Sequence, residues 1–271
     1  MEFEETLIGR PNTVRAYRSL FRNHIDGQIN QQMATEWSDD SFVPVLRGWE
    51  EKGLSRRTRI SLVRLTARYI KFLGGPEVST GNVVRGLDRS EQQEEVLALT
   101  RGQAEKLMEA CRRLEPNYYP ILLLGLHAGL RRGEIFGLRV EDIDFLKGRV
   151  RVARSYNGPT KNGKTRFVPM SNELTKALTN VLMGNVGDRV FKQQDPNPTL
   201  RRLLDAIGAP MLRFHDMRHS FATMALEGGT SPRMVQAWLG HSSLVTTMSI
   251  YWNLTSEEAN LGFLPNEGAT A

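Results

Sequence analysis

Residues 149–169 read Arg-Val-Arg-Val-Ala-Arg-Ser-Tyr-Asn-Gly-Pro-Thr-Lys-Asn-Gly-Lys-Thr-Arg-Phe-Val-Pro. Arg149 to Ala153 alternates basic and apolar side chains, the period of a strand with one buried face. Arg166-Phe167-Val168-Pro169 predicts a second short strand, and Asn157-Gly158-Pro159 and Asn162-Gly163 between them are turn formers. The flanks read as helix. Upstream, Thr100 opens a helix over Arg101 to Leu114, an apolar helix covers Tyr119 to Leu126, and a third runs from Arg132 to about Leu138. Downstream, helices return after Asn172, and the glycine-punctuated pair around Leu239-Gly240-His241 reads as a helix-turn-helix. The expected fold is therefore mainly α with a small antiparallel β-sheet.

Further upstream the chain reads as helical only. Helices are expected from Thr13 to about Ile25, from Ser41 to Glu51, and from a Ser55 cap to Leu73, where Gly74-Gly75-Pro76 ends the run. On a wheel of about 100° per residue, Arg57, Arg64, Arg68 and Lys71 of the third helix form one narrow stripe. Leu62, Val63, Tyr69, Ile70 and Leu73 lie opposite, so one face packs inward and the other presents cations. Asp88 to Glu95 is polar and aperiodic and reads as a linker. The expected organisation is a helical domain over 1–88, a linker over 89–98, a mixed α/β domain over 99–254 and a tail over 255–271. Leu254, Leu261, Phe263 and Leu264 make the end of the chain too apolar to be idle. It is expected to dock on a neighbouring protomer, with packing in cis as the other choice.

Composition narrows the class. At 271 residues the chain suits two domains, and 40% hydrophobic with 24% charged residues fits a globular protein rather than a disordered one. No apolar run approaches the ~20 residues of a membrane helix, and MEFEETLIGR lacks the layout of a secretion signal. Cys111 is the single cysteine, which points to a reducing cytoplasm. One cysteine and five histidines leave little for a structural zinc site. A net charge of +6 is only modestly basic. Its distribution says more: Leu54 to Lys71 carries six basic residues and no acidic one, and Lys147 to Arg166 carries seven and none. Such runs suit a phosphate backbone.

Five short stretches carry chemistry. They are Gly129-Leu130-Arg131-Arg132-Gly133-Glu134, Thr160-Lys161-Asn162-Gly163-Lys164, His215-Asp216-Met217-Arg218-His219, Leu239-Gly240-His241, and Thr246-Thr247-Met248-Ser249-Ile250-Tyr251. The order Arg, Lys, His-x-x-Arg, Leu-Gly-His, Tyr resembles the active-site signature of the tyrosine recombinases, the phage integrase family, over Leu99 to about Leu254. Thr13-Val14-Arg15-Ala16-Tyr17 and Gly53-Leu54-Ser55 resemble that family's core-site-binding domain. The chain begins almost at once with those helices, so a two-domain enzyme without an arm-binding domain is expected. The Thr246 to Tyr251 form is similar to the phage-type arrangement.

The residue types suit the implied reaction. A phenol with a pKa near ~10 is a weak nucleophile unless its anion is stabilised. Attack on a phosphodiester builds charge on the non-bridging oxygens, and guanidinium forks match them. The resemblance makes Tyr251 the nucleophile and Arg131 and Arg218 the phosphate-binding pair. Lys161 would protonate the departing 5′ oxygen, with Lys164 a rival on the same loop. His215 would assist proton transfer, His241 would hydrogen-bond the phosphate, and Glu134 would orient a neighbour. His219 is left to cap or support the site. A 3′-phosphotyrosine conserves bond energy, so no metal, ATP or other cofactor is expected.

The implied partners are double-stranded DNA with specific core sites, gripped by both domains. A homotetramer on two sites is expected, with a directionality factor or a host DNA-bending protein possible and no membrane. The implied setting is viral genome integration in a bacterial host cytoplasm. Two other readings stay open: a catalytically silent helix-turn-helix regulator, and a type IB topoisomerase sharing the chemistry.

Overall fold

The computed structural model describes residues 2–87, 97–160, 163–184, 187–241 and 243. The chain divides into two compact units, Met1–Glu94 and Glu95–Ala271. Most of the expected linker and the whole tail from 255 onwards lie outside the described residues.

The first unit holds α1 (Pro11–His24), α2 (Gln31–Thr35), α3 (Phe42–Glu51), α4 (Arg56–Phe72) and α5 (Thr80–Gly86). Ser55 caps α4 by accepting a hydrogen bond from the Thr58 amide, as its hydroxyl and position require. The apolar face of α4 (Leu62, Val63, Leu65, Ile70) is buried with Phe21, Ile25, Trp37, Phe42 and Trp49. Phe3, Phe21 and Tyr69 form an aromatic knot with centroids 4.8–5.0 Å apart. Arg57, Arg64, Arg68 and Lys71 are exposed on the far side of the helix. Arg59, from the same basic run, is instead buried and paired with Glu50 at 2.8 Å.

The second unit is built around a helix that has no polar face. Its elements are α6 (Arg101–Leu114), α7 (Tyr119–Leu126), α8 (Arg132–Ile135), β1 (Ile143–Asp144), β2 (Arg149–Val152), β3 (Arg154–Ser155), β4 (Gly158–Pro159), β5 (Arg166–Pro169), α9 (Asn172–Met183), α10 (Asn197–Ala206), α11 (Asp216–Glu227) and α12 (Pro232–Leu239). All eight residues of α7 are buried, among α6, α9 and α11. A helix apolar all round has to sit in the centre of a domain. Strands β1, β2 and β5 form an antiparallel sheet in that order, with Val150 opposite Val168 and Val152 opposite Arg166. Val150, Val152 and Val168 face the core, while the outward Phe167 is covered by the Arg149 guanidinium, 4.1 Å from the ring centroid.

Two differences from the sequence expectation have clear causes. The helix begun at Arg132 stops at Ile135 rather than Leu138. At Gly137 the chain lies so close to the Ser155–Tyr156 backbone that a side chain there would come within 2.6 Å of it. The basic run from Lys147 to Arg166 is also less of a free field than its composition implies. Arg149 pairs with Asp144, Arg151 and Arg154 both pair with Glu141 and the buried Asp142, and Arg166 pairs with Glu134. Of the expected helix-turn-helix at Leu239–His241, the second helix lies outside the described residues.

Gly129 shows how tightly the site is tied to the core. Its φ is +61°, and a Cβ there would lie 2.5 Å from a Phe221 ring carbon and 2.7 Å from a Leu239 methyl. The left-handed backbone costs an L-residue ~1–2 kcal/mol, and overpacking adds roughly 1–3 kcal/mol. Gly129→Ala should therefore lower the opening free energy of the α7 amides by about 2–5 kcal/mol, read by native-state hydrogen exchange. Unchanged protection would show that this contact is not part of the packing constraint.

Candidate active site

The site grows from the turn that leads out of α7. Arg131 occupies the N-cap position of α8, and Glu134 three residues on reaches back to it. One carboxylate oxygen accepts the Arg131 amide at 2.9 Å and the other accepts Arg131 Nη1 at 2.8 Å. An acidic side chain suits this place, since it satisfies an amide that the first helical turn leaves open. Glu134 is only 2% exposed, so a solvated surface pair is excluded. A second guanidinium secures it: Arg166 Nη1 and Nη2 donate to its two oxygens at 2.9 and 2.7 Å. Burial alone would raise the Glu134 pKa, but the Arg166 fork and the Arg166 and Arg131 charges hold it at about 2.

Arg218 enters from α11. Its Nη1 donates to the Gly129 carbonyl at 2.7 Å, and its Nη2 donates to the Leu239 carbonyl. One side chain thus joins the turn before Arg131 to the end of α12, across 89 residues of sequence in the first case. Hydrogen bonds to a charged group contribute ~1.5–3 kcal/mol each, against a desolvation cost of several kcal/mol for a buried ion. Burial and the nearby Arg131 pull Arg218 down to about 9, with Glu134 opposing and Arg166 adding, so it remains a cation at neutral pH.

The imidazoles gather at the same place. His215 stands at the N-cap of α11 and its ring lies 5.4 Å from that of His219. His241 follows Gly240, whose left-handed backbone (φ +63°) ends α12. Surrounding protein lowers the His215 pKa to about 4, with His219, Arg218 and Arg131 adding to the effect. His241 is likewise lowered to about 4 by burial and then by Arg218, Arg131, His219 and Arg166. Both rings are neutral at pH 7. Three guanidiniums facing one carboxylate leave a local excess of positive charge, which an anion would relieve.

Of the residues expected in the site, Arg131, Glu134, His215, Arg218 and His241 are brought together. Tyr251 and Lys161 lie outside the described residues. Lys164 is exposed on the hairpin loop, where its carbonyl accepts a hydrogen bond from the buried Thr160 hydroxyl at 2.9 Å. Arg57, Arg64, Arg68 and Lys71 belong to the first unit. Among the described residues, no three His, Cys, Asp or Glu side chains are grouped to hold a metal.

Arg166 is the site residue that sequence reading missed. Its signal was an arginine two residues before Val168, hence on the buried face of β5. A cation placed there needs a carboxylate.

Comparison with known proteins identifies the family. The Phage integrase family profile matches residues 98–258. The tyrosine recombinase XerA of Pyrococcus furiosus is 31% identical over 91% of this chain and 85% of its own length. The tyrosine recombinase XerC of Corynebacterium efficiens is 31% identical over 93% of this chain and 84% of its own. Among solved structures, the Tn1549 transposon integrase in complex with circular intermediate DNA superposes with a TM-score of 0.71 at 21% identity, covering 94% of each chain. A lambda integrase dimer bound to a COC′ core site gives 0.67 at 16% identity, over 90% of this chain and 94% of that one. The chain belongs to the phage integrase family of tyrosine recombinases. Its activity is that of a site-specific DNA recombinase.

The lowered imidazoles have a thermodynamic consequence. Between the ordinary histidine pKa of 6.5 and about 4, the unfolded chain binds protons at His215 and His241 that the native site refuses. Native stability is therefore complete above that window and is lost as pH falls through it. Replacing both histidines by asparagine should flatten the dependence of the melting temperature on pH between 6.5 and 4. An equally steep dependence in the double variant would contradict the assignment.

Proposed function

We propose that this recombinase cuts DNA with Tyr251 at a phosphate bound by Arg131 and Arg218. The Tyr251 oxygen forms a bond to phosphorus as the bond to O5′ breaks. The bonding pair departs with O5′, which takes a proton from Lys161 or Lys164 on the hairpin loop. The phenol proton leaves with the help of His215, while His241 donates to a non-bridging oxygen. The product is a 3′-phosphotyrosine and a free 5′ hydroxyl. Reversal by a 5′ hydroxyl from the partner strand rejoins the DNA with no net loss of bonds, so no energy source is consumed.

The observation that carries this reading is the convergence of two fixed guanidiniums, Arg131 held by the buried Glu134 and Arg218 held by the Gly129 and Leu239 carbonyls, with His215 and His241 held neutral beside them. Two guanidiniums rigid before substrate arrives need no reorganisation as charge develops, which is the most effective form of transition-state stabilisation. An entering phosphate also raises both imidazole pKa values, making His215 a better proton acceptor and favouring the proton-bearing form of His241 once substrate is bound.

In this reading the exposed stripe of Arg57, Arg64, Arg68 and Lys71 contacts the DNA backbone. A solved integrase of the same fold is a dimer on a core site, which supports pairwise binding to core sites. Assembly of four protomers across two sites in a bacterial cytoplasm completes the proposal. The phage-type form of Thr246 to Tyr251 supports integration as the biological role.

The test uses a pool of nicked duplexes cut from the DNA flanking the protein's own gene. Wild type should form covalent adducts that survive denaturation, and Tyr251→Phe should form none. Arg131→Ala and Arg218→Lys should slow adduct formation by ~10²-fold. Adducts persisting in Tyr251→Phe, or none with wild type across the pool, would end this reading. Relaxation of supercoiled plasmid without any sequence requirement would convert it to a topoisomerase.

A further inference from the structure

We infer that Arg166 is a positioning residue for this reaction, a single guanidinium that fixes Glu134 and the end of α12 relative to one another so that Arg131 and His241 address the same phosphate. The inference rests on the proposed roles of Arg131 and His241.

Three donor groups of Arg166 are committed. Nη1 and Nη2 hold the two oxygens of Glu134, and Nε donates to the Trp238 carbonyl. Its side chain also fills the space beside Gly240, where a Cβ would lie 3.0 Å from Arg166 Cδ and 3.3 Å from Nε and Nη1. Glu134 in turn holds the amide and guanidinium of Arg131. A continuous chain of contacts therefore runs from Arg131 through Glu134 and Arg166 to the turn that presents His241. At its other end Arg166 begins β5 opposite Val152, directly after the hairpin loop carrying Lys161 and Lys164. Register in the sheet and placement of the site thus meet in one residue.

Lysine cannot reproduce this arrangement, because an ammonium lacks the planar fork and places its charge at a point. The groups facing Glu134 and the turn are Arg131 from the start of α8, Arg218 and His219 from α11, His241 after α12, and Arg166 itself from β5. Without Arg166, Glu134 loses its larger partner while its burial persists, so its carboxyl rises. His241 loses a neighbouring cation, and its pKa rises also.

The variants are Arg166→Lys, Arg166→Met, Glu134→Gln and the Arg166→Met/Glu134→Gln double. The substrate is the nicked duplex that gives the most adduct with wild type. At saturating DNA, Arg166→Met should cleave at least 30-fold more slowly and Arg166→Lys about tenfold more slowly, both with DNA affinity within threefold of wild type. In Arg166→Met the acidic limb of the single-turnover rate profile should move up by one pH unit or more. That displacement should shrink in the double variant, which has no carboxyl at position 134 to titrate and keeps only the change at His241. The His241 ring signal, followed by NMR without DNA, should titrate at higher pH in Arg166→Met than in wild type.

Wild-type cleavage rates in Arg166→Lys would overturn the inference, even if Arg166→Met fails to fold. So would a loss of cleavage explained wholly by weaker DNA binding, or an acidic limb that stays in place in a folded Arg166→Met. If Tyr251→Phe abolishes adducts while the Arg166 variants cleave normally, the positioning role fails and the proposed reaction stands. If wild type forms no adduct, the proposed reaction fails, and the His241 titration still reports whether Arg166 controls the turn.

Discussion

A carboxylate sealed from water between two guanidiniums sets the terms for the second unit. Glu134 is nearly inaccessible, and an isolated buried carboxylate would be expected to take up a proton rather than remain charged. It stays ionised because Arg131 and Arg166 approach it from different elements. Each partner has a further duty. Arg131 opens α8, and Arg166 begins β5 and grips the last turn of α12. Truncating Glu134 would leave the largely buried Arg166 with no carboxylate, and truncating either arginine would leave Glu134 with one guanidinium in place of two.

Around this knot the chain supplies rigidity rather than bulk. The α7 helix, buried on every side, ends in the Gly129 turn, and that turn is pinned by Arg218 and by Phe221 and Leu239 beneath it. Gly240 repeats the device at the end of α12, where a left-handed residue must also leave room for Arg166. The functional groups therefore project from the ends of packed helices, a setting that holds them more narrowly than a free loop does.

Legibility in the sequence followed the range of the interactions. The α6 and α7 boundaries were readable because their signals are local: the Thr100–Gln103 capping box opens one, and the run from Tyr119 ends at the turn that Gly129 completes. The site motifs were readable through family resemblance, which compresses long-range information into short patterns. What escaped was non-local. The early stop of α8 depends on the Ser155–Tyr156 backbone, and the role of Arg166 depends on a carboxylate 32 residues away. Arg59 was counted within a basic run, yet its charge is directed inward to Glu50. Charge counts along a sequence cannot see partners that arrive from elsewhere in the fold.

The pairing of Arg149, Arg151 and Arg154 with the acidic Glu141–Asp144 segment bears on the ionic-strength behaviour of the enzyme. Cations condensed on DNA are displaced by protein charges that remain available to phosphates, and these three arginines are already neutralised by carboxylates. The small sheet therefore acts as an electrically quiet brace. In the proposed complex, displacement of counterions falls to Arg57, Arg64 and Arg68 of α4 and to the excess charge of the active site, Lys71 being paired with Glu77, so the number of ions released on association is smaller than the arginine content suggests.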